Sequence, residues 1–494
     1  MDRRNTLVAT ELLVDELLRW DYPGEERIKY GLLGMSEGPR ERRFLLREVV
    51  SPPLEEYASR GPALASTRAH FVYQVYAQAW ERGLPALAFV HTHPDAAFFS
   101  GTDRADARRH RQVVFDFARY YLQIVVGRDG LVGLVHFPDG SEEPVDRLVV
   151  LKTRGLEVRP TGNGRWQAAD DLDRERHRRT IEIGGDIENA LRLIATLRWG
   201  LIGTGGGGAS FLNSFKFLGP RALVLVDPDT LEPSNANRFM GYRAGDDGRA
   251  KVTVLERELR AFDPATEVTT VQEAFPSPAT EAVLKDCDVL VAVPDHHWAR
   301  LQAAEFAARN LQPLFEGGAG VYVTEDHTPY RLSCSTRLQL PAPLGPCLRC
   351  LGVQAQLPPQ YETIVERARA SYVTGAKASL PTPASVVTLL SQLGALLTRQ
   401  ILFYISSLGG QEAALPRHLV WDEIPLTIQD LSSLWQRRPE CPICGKDAPW
   451  GYGDAAPRLP ERPDPTGAAQ PETSGRAEFL PAMSVEAEAG RQKG

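Results

Sequence analysis

Two stretches of the sequence carry the residue types of two different chemistries. In 91–103, HTHPDAAFFSGTD, His91 and His93 stand two apart and are followed by Ser100 and Asp103. On a strand, that spacing puts both imidazoles on one face, where they reach a single metal. Asp103, opening the helix that follows, supplies a third ligand. A His/His/Asp set leaves one position for water, as a catalytic zinc requires. Zinc brings the pKa of such a water to roughly 7. The Ser100 hydroxyl is placed to stabilise the oxyanion of a tetrahedral intermediate. A general base is still needed to move the proton from the water to a leaving amine.

The second stretch begins with IGTGGGG. Gly203, Gly205, Gly206 and Gly208 follow the strand-like RWGLIG and precede the helix-like SFLNSFKFLG. Such a turn lets backbone N–H groups approach phosphates at a helix N-terminus. Alone it fits NAD as well as ATP. The residues after it are more specific. Asp227 ends the next apolar strand, where a carboxylate accepts hydrogen bonds from a ribose. Asn235 and Arg238 lie in SNANR, Lys251 follows, and Asp295 comes after the strand DVLVAVP. The Arg and Lys neutralise a triphosphate and the Asp holds Mg²⁺. A dehydrogenase has no use for this set.

Four of the six cysteines form two CxxC pairs, Cys347/Cys350 and Cys441/Cys444. Four thiolates at this spacing make a closed, structural zinc site. Of the other two, Cys287 enters an apolar strand and reads as a small core residue. Cys334 lies shortly before the first pair and stands open as an acceptor thiol.

The elements that must position these residues fall into two α/β blocks. Residues 1–152 alternate strands (RIKYGLLGM, RFLLREVV, ALAFVHTH, LQIVVG, LVGLVHF, RLVVL) with helices over STRAHFVYQVYAQAWERG and DRADARRHRQVVFDFARYY. Residues 153–172, with TGNGRWQ, read as a linker. Residues 173–450 open with a charged helical run, DRERHRRTIEI. Strands and helices then alternate in the order of a largely parallel sheet. From 451 to 494 the chain is rich in Pro, Gly, Ala and Glu and is expected to be disordered.

With 494 residues and a net charge of −7, the chain has room for roughly two to four domains. It shows no long basic stripe, so nucleic acid is not expected as a main partner. No apolar run is long enough for a transmembrane helix, and the N-terminal residues lack an apolar signal core. A cytosolic protein is the expectation, and the few cysteines then read as metal ligands rather than disulfides.

The His-x-His-Pro and Ser-x-x-Asp elements resemble the JAB/JAMM (MPN) metalloprotease family over roughly residues 1–150. That resemblance implies removal of ubiquitin-like modifiers or trimming of their precursors. It also implies a catalytic glutamate before the first strand, at Glu26, with Glu25 as the alternative. The loop from the second His to the Ser is one residue shorter than the family's common spacing.

Residues 173–450 resemble the ThiF/MoeB superfamily, the adenylating domain of ubiquitin-activating enzymes. The resemblance implies a Rossmann-like fold and adenylation of a C-terminal glycine carboxylate by ATP with Mg²⁺. Asp227 would be the ribose aspartate, Asn235 and Arg238 the SNxxR residues, Lys251 the phosphate lysine and Asp295 the magnesium aspartate. An arginine reaching a neighbour's ATP, Arg179 or else Arg176, implies a homodimer. Where relatives place an acceptor cysteine, this chain has SYVTGAKASLPTPASVV. Ser379 stands nearest that place, with Thr374 and Thr382 beside it.

The whole then resembles a bacterial-type fusion acting in ubiquitin-like conjugation, with a separate conjugating-enzyme-like partner. Activation of a sulfur-carrier protein is the alternative.

Overall fold

The computed structural model describes residues 3–20, 24–62, 64–166, 172–295, 297–323, 329–353, 387–406, 408, 415–424 and 426–456. The N-terminal half contains β1 (Arg4–Thr10), α1 (Glu11–Leu18), β2 (Ile28–Glu37), β3 (Glu41–Val50), β4 (Tyr57–Arg60) and β5 (Ala65–Thr67). It continues with α2 (Ala69–Glu81), β6 (Ala86–Thr92), α3 (Gly101–Val114), β7 (Tyr120–Gly127), β8 (Gly130–His136), β9 (Glu142–Pro144), β10 (Arg147–Leu151) and β11 (Leu156–Pro160). Nine strands form one sheet in the order β11-β10-β1-β3-β2-β6-β7-β8-β9.

Alternation along these strands builds two cores. Phe44, Leu46, Ala88, Val90 and Leu122 point to the face covered by α1 through Val14 and Leu17. Leu32, Leu87 and Tyr121 point to the other face, where α2 supplies Val75, Tyr76 and Ala79 and α3 supplies Val114.

The second half contains α4 (Arg174–Ile181), α5 (Ile187–Thr196), β12 (Arg198–Ile202), α6 (Gly206–Phe215), β13 (Ala222–Val226), α7 (Lys251–Phe262) and β14 (Glu267–Val271). After these come α8 (Pro278–Lys285), β15 (Val289–Ala292), α9 (His297–Arg309), β16 (Leu314–Val323), β17 (Pro329–Gln339), α10 (Val387–Ile405), β18 (His418–Ile424) and β19 (Leu426–Asp430). The sheet order is β14-β13-β12-β15-β16-β17-β18-β19. From β14 to β16 the strands are parallel, and from β16 to β19 antiparallel. The sheet is therefore parallel only from β14 to β16. No helix among the described residues is long and apolar enough to cross a membrane.

The two halves share a continuous, buried boundary. Phe44 and Leu46 face the α1 core, so Arg43, Leu45 and Arg47 face the opposite way. Arg43 donates to the Cys287 carbonyl at 3.0 Å and pairs with Asp288 at 3.1 Å. Arg147 holds Glu41 at 2.9 Å and Asp288 at 2.8 Å. The Arg47 guanidinium lies 4.0 Å from the Trp450 ring centroid. Val8, Leu45 and Val149, each 0% exposed, lie on this same face and belong to neither core cluster of the N-terminal half. The second half thus covers the part of the first sheet that α2 and α3 leave bare.

Three expectations need correction. The stretch 153–172 is not a plain linker. Leu156–Pro160 pairs antiparallel with β10, and the Asn163 side chain bonds both backbone groups of Gly133. These pairings close the sheet edge, which composition does not register. Nor does the fold end at Trp450. Gly453 bridges Met35, and Asp454 N donates to the Met35 carbonyl at 2.7 Å. The glycines that made this stretch look disordered permit the contact. A Cβ on Gly453 would stand 2.1 Å from Met35 O, and one on Gly34 would stand 2.1 Å from Gly451 O. Residues up to Ala456 form one compact unit. Finally, the helix read over 103–121 stops at Val114, and Tyr120 and Tyr121 enter β7, where Tyr121 fills the α2 core.

Candidate active sites

β6 lies in the middle of the first sheet, and all its residues are buried. It carries His91 near its end and delivers His93 just beyond it. His93 N donates to Val126 O at 2.9 Å, and the Trp20 indole N–H holds the His93 carbonyl at 2.9 Å. Asp103 sits in the first turn of α3. There Ser100 Oγ accepts from Asp103 N at 3.2 Å, and Asp103 Oδ2 accepts from Ser100 N at 2.6 Å. This reciprocal cap satisfies two otherwise orphaned N–H donors and fixes the carboxylate.

The result is a closed ligand triangle. His91 Nε2 lies 3.2 Å from His93 Nε2 and 2.9 Å from Asp103 Oδ1, and His93 Nε2 lies 3.5 Å from Asp103 Oδ2. Ligands at zinc–nitrogen and zinc–oxygen lengths of about 2.0–2.1 Å stand about 3.3 Å apart around a tetrahedron, so the spacing fits zinc. Burial pushes the Asp103 carboxyl up, but hydrogen bonds from both imidazoles outweigh it and hold the group far below the usual carboxylate range. Burial pulls His93 down, and Asp103 more than reverses that.

Glu26 opens into the same cavity, with Ser100 and the two histidines. It is 7% exposed, and burial raises its pKa while His91 and His93 partly offset the rise. Glu25 points outward to Arg60 at 3.3 Å.

The second site lies at the carboxyl ends of the parallel strands β12, β13 and β15. Its glycines serve different ends. Gly203 has φ +88°, and a Cβ there would stand 2.8 Å from Pro294 N. A Cβ on Gly208 would stand 2.2 Å from Gly203 O, and one on Gly206 would stand 3.3 Å from Arg238 O. These positions need glycine for the turn itself. Gly205 is the N-cap of α6, and a Cβ there would meet open space. Its smallness leaves room for an approaching ligand at a helix N-terminus. The helix starts at Gly206, earlier than the sequence pattern places it, so these N–H groups belong to its first turn.

Asp227, 5% exposed, follows β13 and accepts from Thr204 N at 2.6 Å and Asp229 N at 2.9 Å. Burial raises its pKa, and Lys251 counters the rise. Lys251 opens α7 with Nζ 2.7 Å from Asp229 Oδ2. Asn235 Oδ1 accepts from Glu232 N at 3.1 Å, and Arg238 donates to Ser234 O at 2.6 Å. Asp295 is exposed just past Pro294, the residue that abuts Gly203.

Residues 177–443, more than half of the chain, match the ThiF family. The chain belongs to the ThiF family. Residues 29–130 match prokaryotic homologs of the JAB domain, so the protein is a JAB domain fused to a ThiF domain. The sulfur carrier protein adenylyltransferase of Thermus thermophilus is 25% identical over 57% of this chain and 94% of its own length. The SAMP-activating enzyme E1 of Haloferax volcanii is 26% identical over 56% of this chain and 90% of its own. Among solved structures, E. coli MccB aligns with a TM-score of 0.45 at 18% identity, over 56% of this chain and 74% of its own.

In the ThiF half, Arg179 does not join its own chain's glycine loop. α4 packs through His177 against Gly219, beyond the far end of α6. Arg176 is tied to Asp263 at 2.7 Å, whereas Arg179 is exposed with no ion pair among the described residues.

The CxxC pairs, 94 residues apart, do meet. Cys347 and Cys441 Sγ lie 3.6 Å apart, and Cys350 and Cys444 Sγ lie 3.7 Å apart. Sulfurs about 2.3 Å from a tetrahedral zinc stand about 3.8 Å apart, so this cluster also fits zinc. Cys334 sits in β17 between β16 and β18, 1% exposed, its thiol pushed up by burial to about 12. Cys287 is fully buried, which raises its pKa still more strongly. Neither is an accessible acceptor in this fold. Ser379, Thr374 and Thr382 lie outside the described residues. The sequence reading missed Trp20, Gln123 and Asp229. Their contacts to the sites depend on strand register and on a loop return that no local motif encodes.

Proposed function

We propose that the ThiF half adenylates the C-terminal glycine of a ubiquitin-like protein and that the JAB half cleaves amide or isopeptide bonds at that same terminus. The reading is carried by one coexistence. A His/His/Asp ligand triangle sharing its cavity with a buried glutamate stands in one folded unit with a glycine-loop nucleotide site.

In adenylation, the modifier's carboxylate attacks the α-phosphate of ATP, giving an acyl-adenylate and pyrophosphate. The α6 N-terminus and Gly205 receive the phosphates. Lys251, Arg238 and Asn235 neutralise and orient them, and Asp227 accepts from the ribose. Asp295 would hold Mg²⁺, which offsets phosphate charge. Arg179 acts on the nucleotide of a second copy, making the active unit a homodimer.

In hydrolysis, His91, His93 and Asp103 would hold zinc, which when bound supplies an activated water. Glu26 takes the proton and passes it to the leaving amine. Burial, by raising its pKa, suits it to both steps. Ser100 has an O–H proton left for the oxyanion, because its oxygen already accepts from the α3 backbone.

The boundary contacts of the ThiF half at Asp286 and Asp288 come just before β15, at its amino end. The nucleotide site lies at the opposite end of that strand. We infer that a modifier trimmed at one site travels through solution to the other.

Pyrophosphate exchange tests the reading. A ubiquitin-like protein ending in glycine should be required for exchange, and Lys251→Ala should abolish it. Exchange that does not depend on such a protein would sink the proposal. A second reading is activation of a sulfur-carrier protein. The name of the Thermus relative and the burial of both spare cysteines favour it. A thiocarboxylate product separates it from transfer to a conjugating-enzyme-like partner.

A further inference from the structure

Two buried polar atoms beside the ligand triangle lack hydrogen-bond partners among the described residues. One is Nδ1 of His91, on a residue 5% exposed. Nε2 of that ring faces Asp103 and His93, so Nδ1 is the nitrogen turned away from the ligands. The other is Oε1 of Gln123, on a residue 1% exposed that lines the same cavity. The Gln123 amide nitrogen donates to the backbone carbonyl of Asp103 at 2.9 Å. That bond sets the amide's orientation, because reversing it would bring two oxygens together.

Register puts the orphaned pair on one face. In the parallel β6–β7 pairing, Phe89 stands opposite Gln123 and His91 opposite Val125. Gln123 is thus one diagonal step from His91, within reach of a long side chain. An imidazole that gives its Nε2 lone pair to a metal carries its proton on Nδ1. That proton needs an acceptor, which fixes both tautomer and ring orientation. A buried acceptor without a donor is equally unfavourable.

We propose that Gln123 is a positioning residue of the metal centre. Its oxygen accepts the Nδ1 proton of metal-loaded His91 while its nitrogen holds the carbonyl of Asp103. One side chain on β7 thereby braces ligands from β6 and α3. The inference rests on the metal-hydrolase reading of this cavity.

The test uses the full chain with zinc alone, titrated against a competing chelator. The wild type is expected to take up two zinc ions, one at the four cysteines and one in the cavity. Gln123→Leu keeps the volume and neither hydrogen bond. It is expected to retain the cysteine zinc and to weaken the cavity zinc by about 10–100-fold, the usual cost of losing such a partner. Gln123→Glu keeps an acceptor for His91 but loses the N–H that holds the Asp103 carbonyl, so it should lose less cavity-zinc affinity than Gln123→Leu. A downfield imidazole N–H proton resonance should appear with zinc in the wild type and in Gln123→Glu, and be absent from Gln123→Leu.

Unchanged cavity-zinc affinity in a folded Gln123→Leu variant would overturn the proposal. So would a loss in Gln123→Glu as large as that in a folded Gln123→Leu and, should the leucine variant not fold, the absence of that imidazole resonance from the zinc-loaded wild type. A wild type that binds one zinc only would remove the metal reading itself, and this inference with it.

Discussion

Glu25 and Glu26 are chain neighbours with opposite surroundings. Glu25 has a side chain 47% exposed beside Arg60, whereas Glu26 is 7% exposed in the cavity lined by His91, His93 and Asp103. The Gly61 carbonyl takes the Glu26 N–H at 2.9 Å, and the Glu25 carboxylate pairs with Arg60. We expect Glu26→Gln to keep both zinc ions and to slow amide hydrolysis by about 10²–10⁴-fold, the usual contribution of a general base. Glu25→Gln should change the rate less than about twofold, as an outward-facing side chain does. Equal effects in a hydrolysis assay would disprove the assignment. Asp103→Ala acts differently, because it removes a ligand. Zinc content measured on the purified variant should fall by one ion per chain, with the cysteine-bound ion retained.

At the scale of the element, the glycine loop separates folding from binding within six residues. Gly208 fits against the Gly203 carbonyl, so Gly208→Ala forces the α6 backbone off β12. We expect a stability loss of about 1–3 kcal/mol in urea unfolding, the range for overpacking. Gly205 has φ −60° and open space ahead of it. Gly205→Ala should therefore leave stability nearly unchanged and weaken ATP binding about tenfold or more, since the added methyl occupies the phosphate's approach. Calorimetry showing undiminished ATP binding in that variant would move the nucleotide elsewhere. This element also shows what the sequence makes legible. The order of glycines, Asp227, SNANR and Lys251 is visible because strand-end and helix-start positions are local. The loop's division of labour is not, because it depends on Pro294 and Arg238, which return from distant parts of the chain. The same holds for β11 and for 451–456. Their partners are remote backbone groups, so composition alone read them as linker and tail.

For the whole molecule, the decisive feature is the charged boundary between the halves. Asp288 accepts from Arg43, Arg147 and the Arg198 backbone. Burial pushes its carboxyl up, but Arg147 and Arg43 prevail and hold it below the usual range. Asp288→Ala leaves two buried guanidinium groups without that charge. Breaking a buried pair from one side costs about 3–5 kcal/mol. Denaturant unfolding should show the loss, and fragment 1–166, which keeps β11 and Asn163, should fail to fold alone because Val8, Leu45 and Val149 lose their cover.

The buried boundary also bears on how the two proposed reactions are linked. Among the described residues, JAB contacts the amino ends of the ThiF strands, and the proposed nucleotide site lies at their carboxyl ends, so the proposed hand-over is through solution. Consider an equimolar mixture of Glu26→Ala, dead in hydrolysis, and Lys251→Ala, dead in adenylation. Supplied with an extended modifier precursor and ATP, the mixture should release pyrophosphate at the rate of wild type carrying the same number of active sites of each kind. Passage of a trimmed tail from site to site within one chain, or a boundary that opens to bring the sites together, would instead leave the mixture well below that rate. Diluting the proteins distinguishes the cases further. Transfer through solution depends on modifier concentration alone, whereas any hand-over requiring both sites on one chain keeps its advantage at low concentration.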